Sequence, residues 1–406
     1  MRLKSALFFT VPLEFKISTG ASFRSSHHVI AIERGGVSGF GEGFGNPYRA
    51  MMALGAQAGH ILCEARDYGL EELREAVSSG RLRPPMCLEL ALLDLLSREA
   101  GAGVSELMGG PARREVRAFH VIPIRRKEEM VREAVRLASR GWGLKLKIGR
   151  GARQDLELVK AVRKAVGPGT PIAVDANQAY PPRTAVNLFR RMERYDVRLV
   201  EQPCFKKDLA GLAAVRRALD TALMLDESVS NVVELHRAVE HGAIDVLNLK
   251  ICRLGGFFKA LDVLQACADN GVGIYVGTGR ELGIGAAALL HISSIVPNGL
   301  FYGCEIGWWH FLGFNIVREP LGPVGGVVEV PRGPGLGITL LEPERIRELV
   351  RSRGGRPMDT APHLLGLRST AYTALQRATS LLHALNRPYY LARELSEALR
   401  RPLAFI

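Results

Sequence analysis

The chain has 406 residues, of which 47% are hydrophobic, and its formal net charge is +13. This length and apolar content exclude a disordered protein and a single small domain, so we expect two structural units. The basic residues are scattered along helix-like segments and do not form one arm or stripe. A solvated basic surface is therefore favoured over a nucleic-acid-binding one.

The cysteines and the amino-terminal segment bear on the cellular compartment. Six cysteines show neither CxxC spacing nor the density of a disulfide scaffold, so reduced thiols are expected. An apolar patch over residues 6–10 is too short for a signal sequence or a membrane span. We therefore expect a cytoplasmic protein with no membrane partner.

The first 112 residues predict an α+β capping domain. Strand patterns cover residues 6–17 and 28–42, and Gly35-Gly36 is the expected hairpin turn of the second pattern. A polar, turn-rich loop is expected between the two, over residues 18–26. Helical periodicity follows over residues 48–76 and again over residues 88–99, where nearly every position around the helix is apolar and burial is expected.

From Val116 onward the pattern changes to short β-branched runs that alternate with amphipathic helices. The strand-like runs are LKLKI, PIAVDAN, VRLVEQP, TALMLDES, VLNLKI and VGIYVGT. Repeated βα units predict an α/β fold in which residues 113–325 form a (β/α)8-type barrel, a modified TIM barrel. Residues 326–350 are expected to return and pack on the cap. Residues 351–406 are expected to form a helical extension with a packing or oligomer role, and we expect a homo-oligomer.

Charged residues stand at the predicted strand ends at regular intervals. Lys147, Asp175, Glu201, Asp226 and Lys250 are separated by 24 to 28 residues, about the length of one strand, one helix and two short loops. Parallel barrels place their chemistry at the carboxyl ends of the strands, so these residues should meet on one face.

The three acids in this row predict a metal site. Each follows an apolar strand, where a buried carboxylate is costly unless a positive charge neutralises it. An all-oxygen ligand set favours Mg²⁺, with Mn²⁺ possible, and disfavours zinc. The alternative is three separate pairs between surface acids and arginines.

The lysines predict acid–base groups. Lys145 and Lys147 flank Leu146 in a strand, so their side chains share a face, and their mutual repulsion is expected to lower the pKa of at least one of them. A lysine tuned in this way can act as a general base. Lys250 would approach from the opposite side. The alternative for the LKLK run is the exposed face of an edge strand.

A metal beside a lysine base, without a Ser-His-Asp or Cys-His arrangement, points to removal of a proton next to a carboxylate. The metal would hold the resulting enediolate. Glu227 follows Asp226 and is expected either to orient a lysine or ligand or to touch the metal, and Asn177, which shares the face of Asp175, is expected to act similarly.

These residues and their surrounding motifs resemble the enolase superfamily and, within it, the mandelate racemase/muconate lactonizing enzyme-like proteins of the muconate lactonizing enzyme subgroup. The resemblance covers about residues 8–340 and rests on VSGFGEG, LELALLDLLSREAG, LMGG, VDANQAY, VEQP, LDES, NLKICRLGG and VPRGPGLG. It implies a KxK pair at Lys145 and Lys147, a second-side lysine at Lys250, and a dependence on Mg²⁺.

The resemblance also implies that two cap loops, residues 18–28 and 43–49, select the substrate. Arg24, His27 and His28 are then candidates for substrate recognition. At the seventh and eighth strand ends, we predict substrate contacts from Arg280, Glu281 and Glu305. Arg280 could clamp a second carboxylate, or it could form a salt bridge with a neighbouring glutamate.

The implied reaction stays open among several forms that share one intermediate. The favoured reading is an isomerase acting on a small-molecule carboxylate, either a muconate cycloisomerase-like enzyme or a racemase or epimerase of an amino-acid derivative. A dipeptide substrate is disfavoured because GCEIGWWHF lacks the aspartate pair of dipeptide epimerases. The alternatives are a dehydratase that makes o-succinylbenzoate and, from another class, a noncatalytic barrel that binds an acidic ligand or nucleic acid.

Overall fold

The structure, a computed structural model, describes residues 1–359, which form an amino-terminal cap and a barrel. The cap begins with three long antiparallel strands, β1 (Arg2–Ile17), β2 (Gly20–Arg34) and β3 (Val37–Phe44). Four helices follow: α1 (Pro47–Glu64), α2 (Leu70–Ser78), α3 (Met86–Glu99) and α4 (Val104–Leu107). Helix α3 packs on β3, where Gly41 permits the approach because a Cβ there would lie 1.7 Å from the Cys87 carbonyl oxygen.

Eight parallel strands then close into a barrel, which confirms the predicted fold class. They are β4 (Glu115–Ile122), β5 (Gly143–Lys147), β6 (Ile172–Asp175), β7 (Val197–Glu201), β8 (Ala222–Leu225), β9 (Val246–Leu249), β10 (Gly273–Val276) and β11 (Phe301–Glu305). The barrel closes between its last and first strands, where Cys304 lies opposite Ala118. A layer of inward-facing side chains fills it below the strand ends: Phe119, Ala173, Leu199, Met224, Val246 and Tyr275.

Helices lie between and after these strands, and the last of them contacts strand β1 of the cap. They are α5 (Lys127–Ala138), α6 (Ala152–Val166), α7 (Pro182–Met192), α8 (Leu209–Ala218), α9 (Val232–Glu240), α10 (Ile251–Leu254), α11 (Phe257–Asp269), α12 (Gly283–Ile295) and α13 (Trp309–Leu312). Within residues 1–359, no helix combines the length and the apolar character that crossing a membrane requires.

The chain then returns along both domains. Strand β12 (Val327–Glu329) pairs antiparallel with β4 of the barrel, so the expectation that residues 326–350 pack on the cap is wrong for this strand. Further on, the Leu336 amide donates to Asp94 of α3 in the cap at 2.8 Å. Helix α14 (Pro343–Ser352) follows. Strand β13 (Arg356–Asp359) completes the cap sheet beside β1, which corrects the prediction of helix for these four residues. The predicted helices over residues 361–401 lie outside the described residues.

Two further predictions for the cap are wrong. The expected loop over residues 18–26 is a tight turn followed by strand, because β2 pairs with β1 from Gly20 onward. The single helical stretch predicted over residues 48–76 is two helices separated by a short 3-10 turn at Ala65–Asp67. The hairpin turn predicted at Gly35-Gly36 is present, and both glycines have positive φ values of 56° and 86°.

Candidate active site

Three acids lie at the carboxyl ends of consecutive barrel strands. Asp175 is the last residue of β6, Glu201 is the last residue of β7, and Asp226 directly follows β8. Asp175 and Glu201 are also direct partners in the β6–β7 register. All three are buried, with at most 1% of their surface exposed. The strand spacing in the sequence thus brings three carboxylates to one end of the barrel.

Two lysines reach these acids from different sides of the ring. Lys147 ends β5, and its Nζ donates to Asp175 Oδ2 at 2.5 Å and to Asn177 Oδ1 at 3.1 Å. Lys250 directly follows β9, and its Nζ donates to Asp226 Oδ2 at 2.9 Å. Because β5 and β9 are four strands apart in a closed ring of eight, the two lysines stand on opposite sides of the barrel.

Lys145 lies deeper in the barrel among negative groups. Its Nζ lies 3.0 Å from Glu201 Oε2, also contacts Glu305, and lies 5.4 Å from the centre of the Tyr275 ring. Burial opposes the charge, but attraction by Glu201 and Glu305 outweighs it and raises the pKa of Lys145 well above its usual value. The predicted lowering by lysine–lysine repulsion is therefore wrong for Lys145.

The acids differ in their electrostatic surroundings. Burial raises the pKa of Glu201, and the neighbouring Asp175 charge adds to that rise. Burial would also raise the pKa of Asp226, but attraction by Lys250 and Arg253 outweighs it and lowers that pKa to about 2. Burial likewise opposes the charge on Lys250, and attraction by Asp226 reverses this to raise the pKa of Lys250. The site therefore holds buried charges of both signs in mutual contact.

The acids suit a hard cation by chemistry, although each is paired with a cation of the protein itself. Within the described residues, no three His, Cys, Asp or Glu side chains converge in a geometry that could hold an ion. One oxygen each of Glu201 and Asp226 is buried and accepts no hydrogen bond. Their contacts are charge pairs with Lys145 at 3.0 Å and Arg253 at 3.1 Å. An oxygen-only set suits Mg²⁺ or Mn²⁺, which would have to displace the lysine and arginine from these oxygens.

Asn177 and Glu227 lie beside the acids and are hydrogen-bonded to each other. The Asn177 side chain accepts from Lys147 and donates to Glu227 Oε1 at 3.1 Å, and its backbone amide donates to Asp175 at 2.8 Å. Asn177 holds a positive φ of 41°, a conformation that costs energy in a non-glycine residue. Burial, together with the charges of Asp226 and Asp175, raises the pKa of Glu227 to about 7.

Three residues that contact the acids were not predicted from the sequence: Gln202, Asn248 and Arg253. Asn248 donates to Glu201 Oε1 at 2.6 Å. It stands two residues before Lys250, so the alternation of a strand could have identified it. Gln202 accepts from the Asp226 amide at 3.0 Å and has a positive φ of 37°, like Asn177 after the preceding strand. Arg253 follows one turn after Lys250.

We expect Gln202→Ala to weaken Mg²⁺ binding by about 10- to 100-fold, because its side chain orients the segment that begins at Asp226. Calorimetric titration of the folded variant with Mg²⁺ measures the change in affinity. Gln178→Ala is the matched control, since Gln178 also has a positive φ, of 68°, but its side chain accepts from the distant Lys206 amide. Equal affinities in the two variants would contradict this role of Gln202.

The residues predicted to contact the substrate at the seventh and eighth strand ends lie at different depths in the barrel. Arg280 donates to Ser22 of the cap at 2.9 Å and lies 5.6 Å from the Trp308 ring. Glu281 is buried and is bound by its own loop, through the Thr278 hydroxyl at 2.5 Å and the Gly279 amide at 2.6 Å. Glu305 contacts Lys145 inside the barrel.

The three cap residues differ in exposure. Arg24 is exposed on β2, whereas His27 and His28 are buried and stack on Phe9 and Phe8. Burial lowers the pKa of His27 to about 3 and that of His28 to about 4, so both rings are neutral. The two histidines are thus part of the interior of the cap.

A cavity of about 870 Å³ opens at the other end of the barrel. Its walls include Phe119, Leu199 and Ala222, which belong to the amino-terminal parts or lower layer of their strands. Since barrel chemistry lies at the carboxyl ends, this cavity is not the site formed by the acids and lysines.

Comparison with known proteins shows the family to which the chain belongs. The family described as "Enolase C-terminal domain-like" matches residues 129–344, more than half of the chain, and the chain belongs to that family. It is an enzyme of the enolase superfamily whose relatives include cycloisomerases, epimerases and racemases.

Two curated relatives and one solved structure illustrate this range. The N-succinylamino acid racemase of Thermus thermophilus is 30% identical over 84% of this chain and 96% of its own. The chloromuconate cycloisomerase of Pseudomonas sp. (strain P51) is 28% identical over 84% of this chain and 95% of its own. A dipeptide epimerase of Enterococcus faecalis, solved with Mg and the dipeptide L-Leu-L-Tyr, has a TM-score of 0.72 and 26% identity, covering 84% of this chain and 100% of that one.

Proposed function

We propose that this protein is a Mg²⁺-dependent isomerase that removes and returns the proton next to a carboxylate group. The observation that supports it most strongly is the arrangement of three buried strand-end acids in one ring, with two lysines on opposite sides of that ring. A planar intermediate between two such lysines can exchange a proton on either face. The relatives named above are a racemase, a cycloisomerase and an epimerase, which supports an isomerase.

The acids Asp175, Glu201 and Asp226 would hold the cation. When bound, a divalent cation supplies positive charge that stabilises negative charge developing on the substrate carboxylate. Lys147 Nζ would accept the proton on one side, and Lys250 Nζ would donate a proton on the other, once each is released from its acid. Lys145 stays charged, because Glu201 and Glu305 favour its protonated form. It would therefore stabilise anionic charge without carrying the proton.

The form of the reaction is proposed as racemisation of an N-acylamino acid or cycloisomerisation of a muconate, with dehydration to o-succinylbenzoate as the alternative. Racemisation needs both lysines as proton carriers, whereas cycloisomerisation and dehydration can use one of them as a fixed cation. Glu305 contacts Lys145 inside the barrel, and no aspartate pair follows it in the sequence. A substrate with a free amine at that position is therefore disfavoured.

A screen for exchange of the α-proton with solvent tests the proposal. The protein is incubated in deuterium oxide with Mg²⁺ and a panel of N-succinylamino acids, muconates and dipeptides, and proton NMR follows the signal next to the carboxylate. We expect one class to react: an amino-acid derivative or dipeptide would exchange this proton for deuterium as its enantiomer or epimer forms, and a muconate would gain one deuterium at that carbon as it closes to a lactone. Absence of both exchange and product for every carboxylate, with Mg²⁺ binding intact, would refute the proposed function.

A further inference from the structure

A chain of buried polar side chains runs through the cap next to the barrel mouth. Trp308 Nε1 donates to Ser25 Oγ at 3.1 Å, and Ser25 Oγ lies 2.8 Å from His27 Nε2. On its other side, His27 Nδ1 lies 3.9 Å from Glu42 Oε1. Ser25, His27 and Glu42 are completely buried, and Trp308 is 3% exposed. Buried polar groups in contact with one another specify a single arrangement more strongly than apolar packing does.

The two ends of this row of polar side chains involve two different barrel loops. Glu42 accepts from the backbone amides of Leu282 and Gly285, at the start of α12, so a cap residue satisfies the open end of a barrel helix. Leu282 lies two residues after Arg280. At the other end, Trp308 follows β11 by three residues. Ser25 thereby holds the loop after the eighth barrel strand, and Glu42 holds the start of the helix after the seventh, with His27 between them and hydrogen-bonded to Ser25.

The same two loops also meet directly at the mouth. The Arg280 guanidinium lies 5.6 Å from the Trp308 ring and donates to Ser22 at 2.9 Å. Phe15 of β1 packs against the indole, with ring centres 4.9 Å apart. Strand β2 therefore holds Arg280 through Ser22 and Trp308 through Ser25.

The order Ser25, His27, Glu42 matches the connectivity of a hydrolytic triad, but the geometry excludes that role. Ser25 is 0% exposed, and its oxygen already accepts from Trp308. The 3.9 Å gap between His27 and Glu42 exceeds a hydrogen bond. A buried serine of this kind has no access to a substrate, so its effect must pass through the residues it holds.

We propose that Ser25, His27 and Glu42 are positioning residues that fix Trp308 and the Arg280 loop as one wall of the substrate pocket. This inference rests on the proposed function for the identity of the pocket. Since none of the three contacts the acids or lysines, they set how tightly substrate is bound and leave the proton transfer itself unchanged.

The first test needs no substrate. Trp142→Phe and Trp309→Phe leave Trp308 as the single tryptophan of the chain, and its fluorescence then reports on the indole alone. In this background Ser25→Ala and His27→Phe should shift the emission to longer wavelength and increase quenching by acrylamide. His28→Phe is the matched control: His28 is the next residue, is also buried, and stacks on Phe8 at 5.6 Å, much as His27 stacks on Phe9 at 5.4 Å. His27→Phe keeps an aromatic ring beside Phe9 and removes the hydrogen bond to Ser25 together with the imidazole nitrogen near Glu42.

Kinetics with the carboxylate that exchanges in the screen provide the second test. Ser25→Ala should raise KM about five-fold, the effect of one neutral hydrogen bond, with kcat unchanged. Fluorescence in Ser25→Ala and His27→Phe identical to that in His28→Phe would overturn the proposal, whatever the substrate. A fall in kcat without a change in KM would overturn it as well. A failure of the proposed function would instead remove exchange in the wild-type protein and leave the fluorescence differences in place.

Discussion

Glu201→Gln is expected to abolish the response of this protein to Mg²⁺ and to reduce turnover by about 10²- to 10³-fold or more, the usual cost of removing one electrostatic stabiliser. Glu201 stands between Asp175 and Asp226 in the row of strand ends, so its loss leaves two separated acids. The substitution suits the fold, because a glutamine oxygen can still accept from Asn248, which donates to Glu201 at 2.6 Å. The variant should therefore fold while losing the cation.

Thermal unfolding with and without Mg²⁺ measures the loss of cation binding directly. A ligand that binds only the folded state stabilises it by about 2.7 kcal/mol at 100 times its Kd, which is a readily measured shift in Tm. The wild-type protein and Glu157→Gln, which changes an exposed carboxylate on α6, should both show the shift. Glu201→Gln should not. A normal Mg²⁺ shift in Glu201→Gln would mean that the cation binds elsewhere.

Lys147→Ala and Lys250→Ala are each expected to reduce turnover by about 10²- to 10⁴-fold, the usual contribution of a positioned acid or base. Each lysine contacts one acid of the site, Asp175 or Asp226, from its own side of the barrel. Removing Lys147 also takes the lysine partner from the buried Asp175, whereas Asp226 keeps Arg253 in Lys250→Ala, so both variants should be assayed with Mg²⁺ and checked for folding by circular dichroism.

The control for these variants is Lys160→Ala. Lys160 is exposed on α6, and its removal changes the net charge of the protein by the same amount. Turnover in Lys160→Ala should equal that of the wild-type protein. If Lys147→Ala and Lys250→Ala were as active as Lys160→Ala, neither lysine would carry a proton.

The barrel could be predicted from the sequence because its signals are local. Each strand is a short apolar run, and each acid or lysine follows such a run at an interval set by one βα unit. A charged residue directly after a buried strand is conspicuous, since burial without a partner is costly. Asn248 was missed, although the alternation that indicates Lys145 beside Lys147 applies to Asn248 and Lys250 as well.

The features that could not be predicted from the sequence depend on contacts between segments that are far apart in sequence. The first part of β2 is polar and resembles a loop, but pairing with β1 makes it a strand, since strand formation depends more on neighbours than on intrinsic preference. The high pKa of Lys145 arises from Glu201 and Glu305, which lie far from it in sequence. Likewise, the link from Ser25 and Glu42 to the barrel loops joins residues more than 200 positions apart.

Proton exchange by the lysine variants tests the central claim most directly. The wild-type protein, Lys147→Ala and Lys250→Ala are incubated with Mg²⁺ and one enantiomer of the exchanging carboxylate in deuterium oxide, and NMR follows the α-proton. Two lysines on opposite sides of one cation-held carboxylate predict rapid deuterium incorporation by the wild-type protein. The variant that lacks the lysine facing the α-proton of that enantiomer should lose exchange, and the other variant should exchange the proton without inverting the carbon, while both still bind Mg²⁺. Unchanged exchange in both variants would contradict the account.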